Sequence, residues 1–282
     1  MKKSILISSI LLLLASCSST GSVVSSKSTP IHFSIEESSE KESSSKLDSS
    51  EAKDIEKELR DNVVSYMEEM ATLRWTPSED ITYYENDGTK FIKGKEYIGI
   101  PYSMGGGRTT SLGHPLETFK ENLSDDNYTY IGPTGYNSYI GSDCSSSIEG
   151  AYRVNGIVTN AIYTGAMIPG ENSKIKPVGD FDYSSRKNMS RSIVESNGKE
   201  KMFSCYSLLK KGDVLVKREK SGNSFSGHAR MVKSINVLKE EVTVIEQCGY
   251  GIDNQTITTW RNNKVYSFTS LFNYAYLPIS FI

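Results

Sequence analysis

Five short runs in the last third of the chain limit the fold more than any other feature: "GDVLVKR", "HARMVKSINV", "EEVTVIEQ", "NQTITTW" and "VYSFTSLF". Each is rich in β-branched or aromatic residues, and Lys-Glu, Gly and Asn pairs separate them, which predicts successive strands of an antiparallel meander. Ahead of them, the stretch from Cys144 to Val154 predicts a helix, closed by the C-cap signal Asn155-Gly156. A helix followed by a meander implies an α+β domain with the helix packed on the sheet. The 282 residues suffice for one sizeable domain or two small ones.

The N-terminal fifth has a different character. "MKKSILISSILLLLASC" combines a basic start, an apolar run from Ile5 to Leu14, and small residues before Cys17. The run is too short to span a bilayer and has the plan of an export signal. Residues 18–52 are mostly serine with Glu, Lys and Thr, a composition that cannot offset chain entropy by burial and predicts a disordered stalk. From residue 53 to 75 the spacing of Ile55, Leu59, Val63, Met67 and Met70 predicts a helix, read as a flap on the main domain of residues 76–282. Residues 108–142, punctuated by Gly113, Pro115, Gly132, Pro133, Gly135 and Gly141, predict a loop-rich insertion. The Lys-rich stretch 199–220 alternates with acids and reads as a solvated face.

Composition excludes some functions. A formal charge of −2 and a pI near 6.0 give no basic footprint for nucleic acid. "MGGGRTT" lacks the Gly-Lys-Ser/Thr ending of a phosphate loop. The four cysteines have no CxxC spacing, so neither a metal nor another cofactor is expected. Cys205 and Cys248 are read as a disulfide or as two separate buried thiols.

The remaining chemistry gathers on Cys144. It stands after Asp143 at the entrance of the predicted helix, where unpaired N–H groups favour a thiolate. A second frame, with Ser146 to Glu149 as a capping box, starts the helix two residues later and still leaves the thiol at the positive end. A thiol nucleophile needs a base. His32 lies in the stalk and His114 beside Pro115 in a loop, whereas His228 enters a predicted strand that fixes its angle. The following strand ends in Glu246 and Gln247, and side-chain alternation lets only one of them face His228. Glu246 is favoured because a carboxylate stabilises an imidazolium; Gln247 stays open.

Four pieces in this order, "PYSMGGG" (101–107), "SDCSSS" (142–147), "KKGDVLV" (210–216) and "GHARMV" (227–232), resemble the NlpC-type cell-wall cysteine peptidases and the related CHAP amidases. The resemblance implies a papain-like fold and hydrolysis of peptide or amide bonds in peptidoglycan. It implies Cys144 as nucleophile, His228 as base, Asp143 and Ser145 as shapers of the substrate pocket, and Tyr102 as a donor to the developing oxyanion. Met104 and the insertion depart from the family pattern. "LASC" resembles the bacterial lipoprotein box, which implies lipidation of Cys17 and a membrane-anchored, extracytoplasmic protein. Two functions follow as expectations: a lipid-anchored hydrolase, or a cell-wall peptide-binding lipoprotein on the same fold without turnover.

Overall fold

A computed structural model describes residues 49–83, 90–124, 128–185, 189–249 and 257–282. The export signal, Cys17, His32 and most of the expected stalk lie outside the described residues. No helix among the described residues is long and apolar enough to cross a membrane.

The first helix, α1 (Ser49–Thr72), starts inside the expected stalk and ends before residue 75, because Arg74 and Trp75 open a strand. Its apolar stripe is buried, as packing on the main domain requires: Val63, Met67 and Met70 are wholly buried. Burying side chains of this size stabilises by about 1.5–3 kcal/mol each. Arg60 on the same helix donates to Asp213 Oδ1 and to the Lys211 carbonyl, both at 2.9 Å, and so ties α1 to the entrance of the meander.

Short strands follow: β1 (Arg74–Pro77), β2 (Ile81–Thr82), β3 (Lys90–Phe91) and β4 (Tyr97–Ile98). The expected loop region is more ordered than its glycines and prolines suggested. It holds α2 (Gly106–Thr110), α3 (Pro115–Lys120) and β5 (Thr129–Tyr130). β5 pairs with β1, which also pairs with β4. Trp75 anchors this layer, with ring centroids 5.3 Å from Phe91, 5.4 Å from Tyr97, 5.3 Å from Phe119 and 5.8 Å from Tyr130. Phe119 and Tyr130 belong to the insertion, so the insertion is packed onto the layer around Trp75.

The helix α4 (Cys144–Val154) has the bounds that the spacing predicts, with Asn155 as its C-cap. Its buried Ile148, Ala151 and Tyr152 pack into the core, and the helix contacts the central strands. Then come β6 (Lys176–Pro177), α5 (Ser190–Ser207), β7 (Val214–Ser221), β8 (Ser224–Asn236), β9 (Glu241–Gln247), β10 (Trp260–Ser267), α6 (Phe268–Asn273) and β11 (Leu277–Ser280). The main sheet has the order β10-β9-β8-β7-β11-β6, with every neighbouring pair antiparallel. The meander is therefore present, and the architecture is α+β.

Three predicted spans need correction. The described part of "NQTITTW" is not strand until Trp260. "VYSFTSLF" divides at Ser267, whose hydroxyl accepts from the Ser270 N–H and starts α6 instead of continuing the strand. Part of the supposed solvated stretch 199–220 is helix: α5 buries Met202, Cys205 and Tyr206. Gly198, at φ +75°, breaks this helix in the middle and scrambles the 3.6-residue pattern that would have revealed it.

Candidate functional site

Sheet register builds one face of the site. Lys217 stands opposite His228 in the β7–β8 ladder, and Glu246 opposite Arg261 in the β9–β10 ladder. Arg230 lies two residues beyond His228 and therefore on the same face. Along this face His228 Nε2 is 2.6 Å from Glu246 Oε2, and Arg230 Nε donates to the same oxygen at 2.6 Å. Tyr266 donates to the other oxygen at 2.6 Å, and Arg261 Nη1 lies 3.6 Å from it.

Glu246 is wholly buried. Burial by itself raises its pKa, but the hydrogen bond from His228, the Arg230 and His228 charges and the Tyr266 hydroxyl override that and hold it at about 2. An ionised carboxylate only accepts hydrogen bonds, so Nε2 is the donor in this pair. Glu246 is thus the residue that faces His228. Gln247 points the other way: it accepts from Ser142 Oγ at 2.6 Å and donates to the Ile100 carbonyl at 3.0 Å. It pins the chain two residues before the thiol.

Cys144 is the first residue of α4, and Asp143 is its N-cap. The Asp143 carboxylate accepts the N–H groups of Ser145 and Ser146, while Ser146 Oγ accepts the Asp143 N–H at 2.9 Å. Of the two frames left open by the sequence, the structure has the earlier one. Glu149, the acid of the alternative capping box, instead accepts from Arg153 at 2.6 Å. Arg108 Nε lies 2.6 Å from Asp143 Oδ2, and Ser145 Oγ donates to Asp143 Oδ1 at 2.8 Å. Asp143 and Ser145 are both buried in this cap, and neither lines the cavity beside His228.

The cap changes the electrostatics expected of a helix start. Burial pushes the Cys144 thiol up to about 12, and the Asp143 carboxylate adds to the shift; the Ala229 N–H and Arg108 only partly oppose it. The Asp143 side chain has taken two of the N–H groups that would stabilise a thiolate, so the resting thiol is protonated. The expected thiolate preference is corrected here for that reason.

The β8–β9 ladder stops at Met231–Ile245, and two residues earlier along β8 the Ala229 N–H faces the Cys144 sulfur. Ala229 follows His228 directly, so the backbone next to the imidazole, from a distant part of the chain, faces the thiol. Thiol and imidazole share no hydrogen bond with each other in this conformation.

A second thiol stands beside the imidazole. Cys248 Sγ is 4.0 Å from His228 Nε2, and burial raises its pKa to about 11. That nitrogen is committed to Glu246 as a donor and cannot accept a proton from Cys248. Cys205 lies on α5, where a Cβ on Gly179 would come within 2.6 Å of its sulfur. All three described cysteines are free, so Cys205 and Cys248 are separate buried thiols.

A cavity of about 300 Å³ opens beside His228, lined also by Tyr102, Met104, Lys217, Arg230 and Cys248. The Tyr102 ring lies so close to Gly249 that a Cβ there would meet it at 2.7 Å, which requires glycine after Cys248. His114 stands exposed at the start of α3, away from this set of cavity residues.

Ligand atoms of His228, Glu246 and Cys248 lie within 4.8 Å of one another, a spacing that suits a cation. The two guanidinium groups already beside the Glu246 carboxylate oppose a dication there. Sequence reasoning missed Arg230, Lys217 and Arg261 as members of the site. The two-residue spacing of His228 and Arg230 on a predicted strand was the available signal. Compared with known proteins, the chain matches no family model, no curated protein and no solved structure.

Proposed function

We propose that this protein is a cysteine hydrolase with a papain-like arrangement, acting on peptide or amide bonds of bacterial peptidoglycan from a lipid anchor at Cys17. The observation that carries the reading is the His228–Glu246 pair at 2.6 Å, with the next backbone N–H turned onto the Cys144 sulfur. In this reading Nδ1 of His228 accepts the thiol proton as Cys144 Sγ attacks the substrate carbonyl carbon. The C–N bond then breaks, the amine leaves with the proton from His228, and water hydrolyses the thioester. A protonated resting thiol fits a base that acts only once substrate is bound, when loose catalytic contacts tighten. Glu246 holds the imidazole tautomer and stabilises the imidazolium. Tyr102 stands at the cavity, where a phenol suits the oxyanion.

The choice of cell wall as substrate, and of the exported, anchored location, rests on the sequence resemblance. The burial of Cys144 and its lack of a hydrogen bond to His228 favour a second reading, a wall-peptide-binding lipoprotein without turnover. Incubating the full-length chain with purified peptidoglycan and following new amines separates the two. The hydrolase reading expects release that falls at least about 100-fold in His228→Ala; equal release from both proteins would leave only the binding reading.

A further inference from the structure

The cavity beside His228 is lined by three cations, and among the described residues one carboxylate, Glu246, answers them. Lys217 lies 5.9 Å and 5.7 Å from the ring centroids of Tyr274 and Tyr276 and makes no ion pair among the described residues. Arg230 is only 8% exposed. Its guanidinium carbon stands 3.8 Å from the Tyr266 ring centroid and 4.1 Å from that of Tyr276, so two aromatic rings fix its plane. Its Nε is used by Glu246, whereas its Nη1 is buried and has no hydrogen-bond partner. A buried, oriented and unpaired guanidinium N–H is costly to keep unless something accepts from it. Arg261 completes the rim.

We infer that this cavity is a subsite for a carboxylate carried by the substrate next to the bond that is cut, with the Arg230 guanidinium and Lys217 as its donors. The inference deepens the hydrolase reading and rests on it for the word substrate; the anion site itself rests on the cavity alone. A carboxylate fits the planar donor edge that the tyrosines hold, and the cavity volume admits a short acidic side chain or chain end. The positive lining also disfavours substrates that place an amine at this position.

The test uses the full-length chain and two small probes of equal size, glutarate and its diamide glutaramide, with inorganic phosphate as a third. Titration calorimetry is expected to detect glutarate and not glutaramide. Arg230→Gln and Lys217→Gln are each expected to weaken glutarate at least tenfold. Lys217 is half-exposed, so its variant keeps the test valid if Arg230→Gln does not fold. Equal binding of acid and amide, no glutarate binding at millimolar concentration, unchanged binding by Lys217→Gln, or tighter binding of phosphate than of glutarate would each overturn the carboxylate subsite. Binding is measured without turnover, so a protein that takes glutarate but releases no amines from peptidoglycan contradicts the hydrolase reading alone. Hydrolysis without acid–amide discrimination contradicts the subsite alone.

Discussion

At Cys144 two opposing effects meet on one sulfur. The helix start draws charge toward the thiol, but burial and the Asp143 carboxylate outweigh it and keep the proton on. Alkylation by iodoacetamide, mapped to each cysteine by mass spectrometry, is therefore expected to rise at Cys144 through pH 9 without a plateau. Asp143→Asn removes the like charge and should speed the Cys144 reaction at pH 8; a slower reaction would contradict this electrostatic assignment. Glu246 and Gln247 differ just as sharply, since one holds the imidazole and the other braces Ser142. Glu246→Ala is expected to lose at least about 100-fold more peptidoglycan hydrolysis than Gln247→Ala, and the reverse ranking would show that the base is oriented from elsewhere. The pairing of His228 with an acid was legible from strand alternation. The identity of the thiol's neighbours was not, because a contact such as Ala229 N–H to sulfur depends on how α4 meets β8 in space.

Among the elements, α4 and β7 to β9 were readable because their patterns are local: a cap, a C-cap and period-two runs. α5 was hidden because Gly198 breaks its register, and α6 because Ser267 turns a strand-like sequence into a helix start. The insertion looked like loop because glycine and proline dominate its surface, while the residues that order it, Phe119 and Tyr130, find their partner Trp75 in a different segment. The α1 helix was legible as a helix that packs on the main domain, but amphipathicity alone does not say which residues cover the stripe. Met67→Ala, at a fully buried position, should lower unfolding free energy by about 2–5 kcal/mol in denaturant titration. A loss below about 0.5 kcal/mol would contradict the packing of this stripe in the core. Asp143→Ala removes the cap of α4 and should cost about 1–2 kcal/mol by the same titration.

Over the whole molecule, residues Leu47–Ile282 form one unit in which the meander carries the charged face. The α+β class followed from the order of predicted elements. The cationic cavity did not, because it needs the register between β7, β8, β9 and β10. Glu246 links this site to global stability. Its folded pKa of about 2 lies below its ordinary 4.5, so the folded state binds its proton less tightly than the unfolded chain does. The stability it supplies is present above about pH 4.5 and is lost as pH falls toward 2. Thermal unfolding across that window should show a steeper fall for the wild type than for Glu246→Gln; parallel curves would mean that the carboxylate is not held ionised by its neighbours.

The account turns on which thiol His228 serves, and the direct measurement is amine release from purified peptidoglycan by Cys144→Ala and Cys248→Ala side by side. Because Nε2 is committed to Glu246, the first variant is predicted to lose all release above background and the second to stay within about tenfold of the wild type. Full activity in Cys144→Ala, with loss in Cys248→Ala, would contradict it.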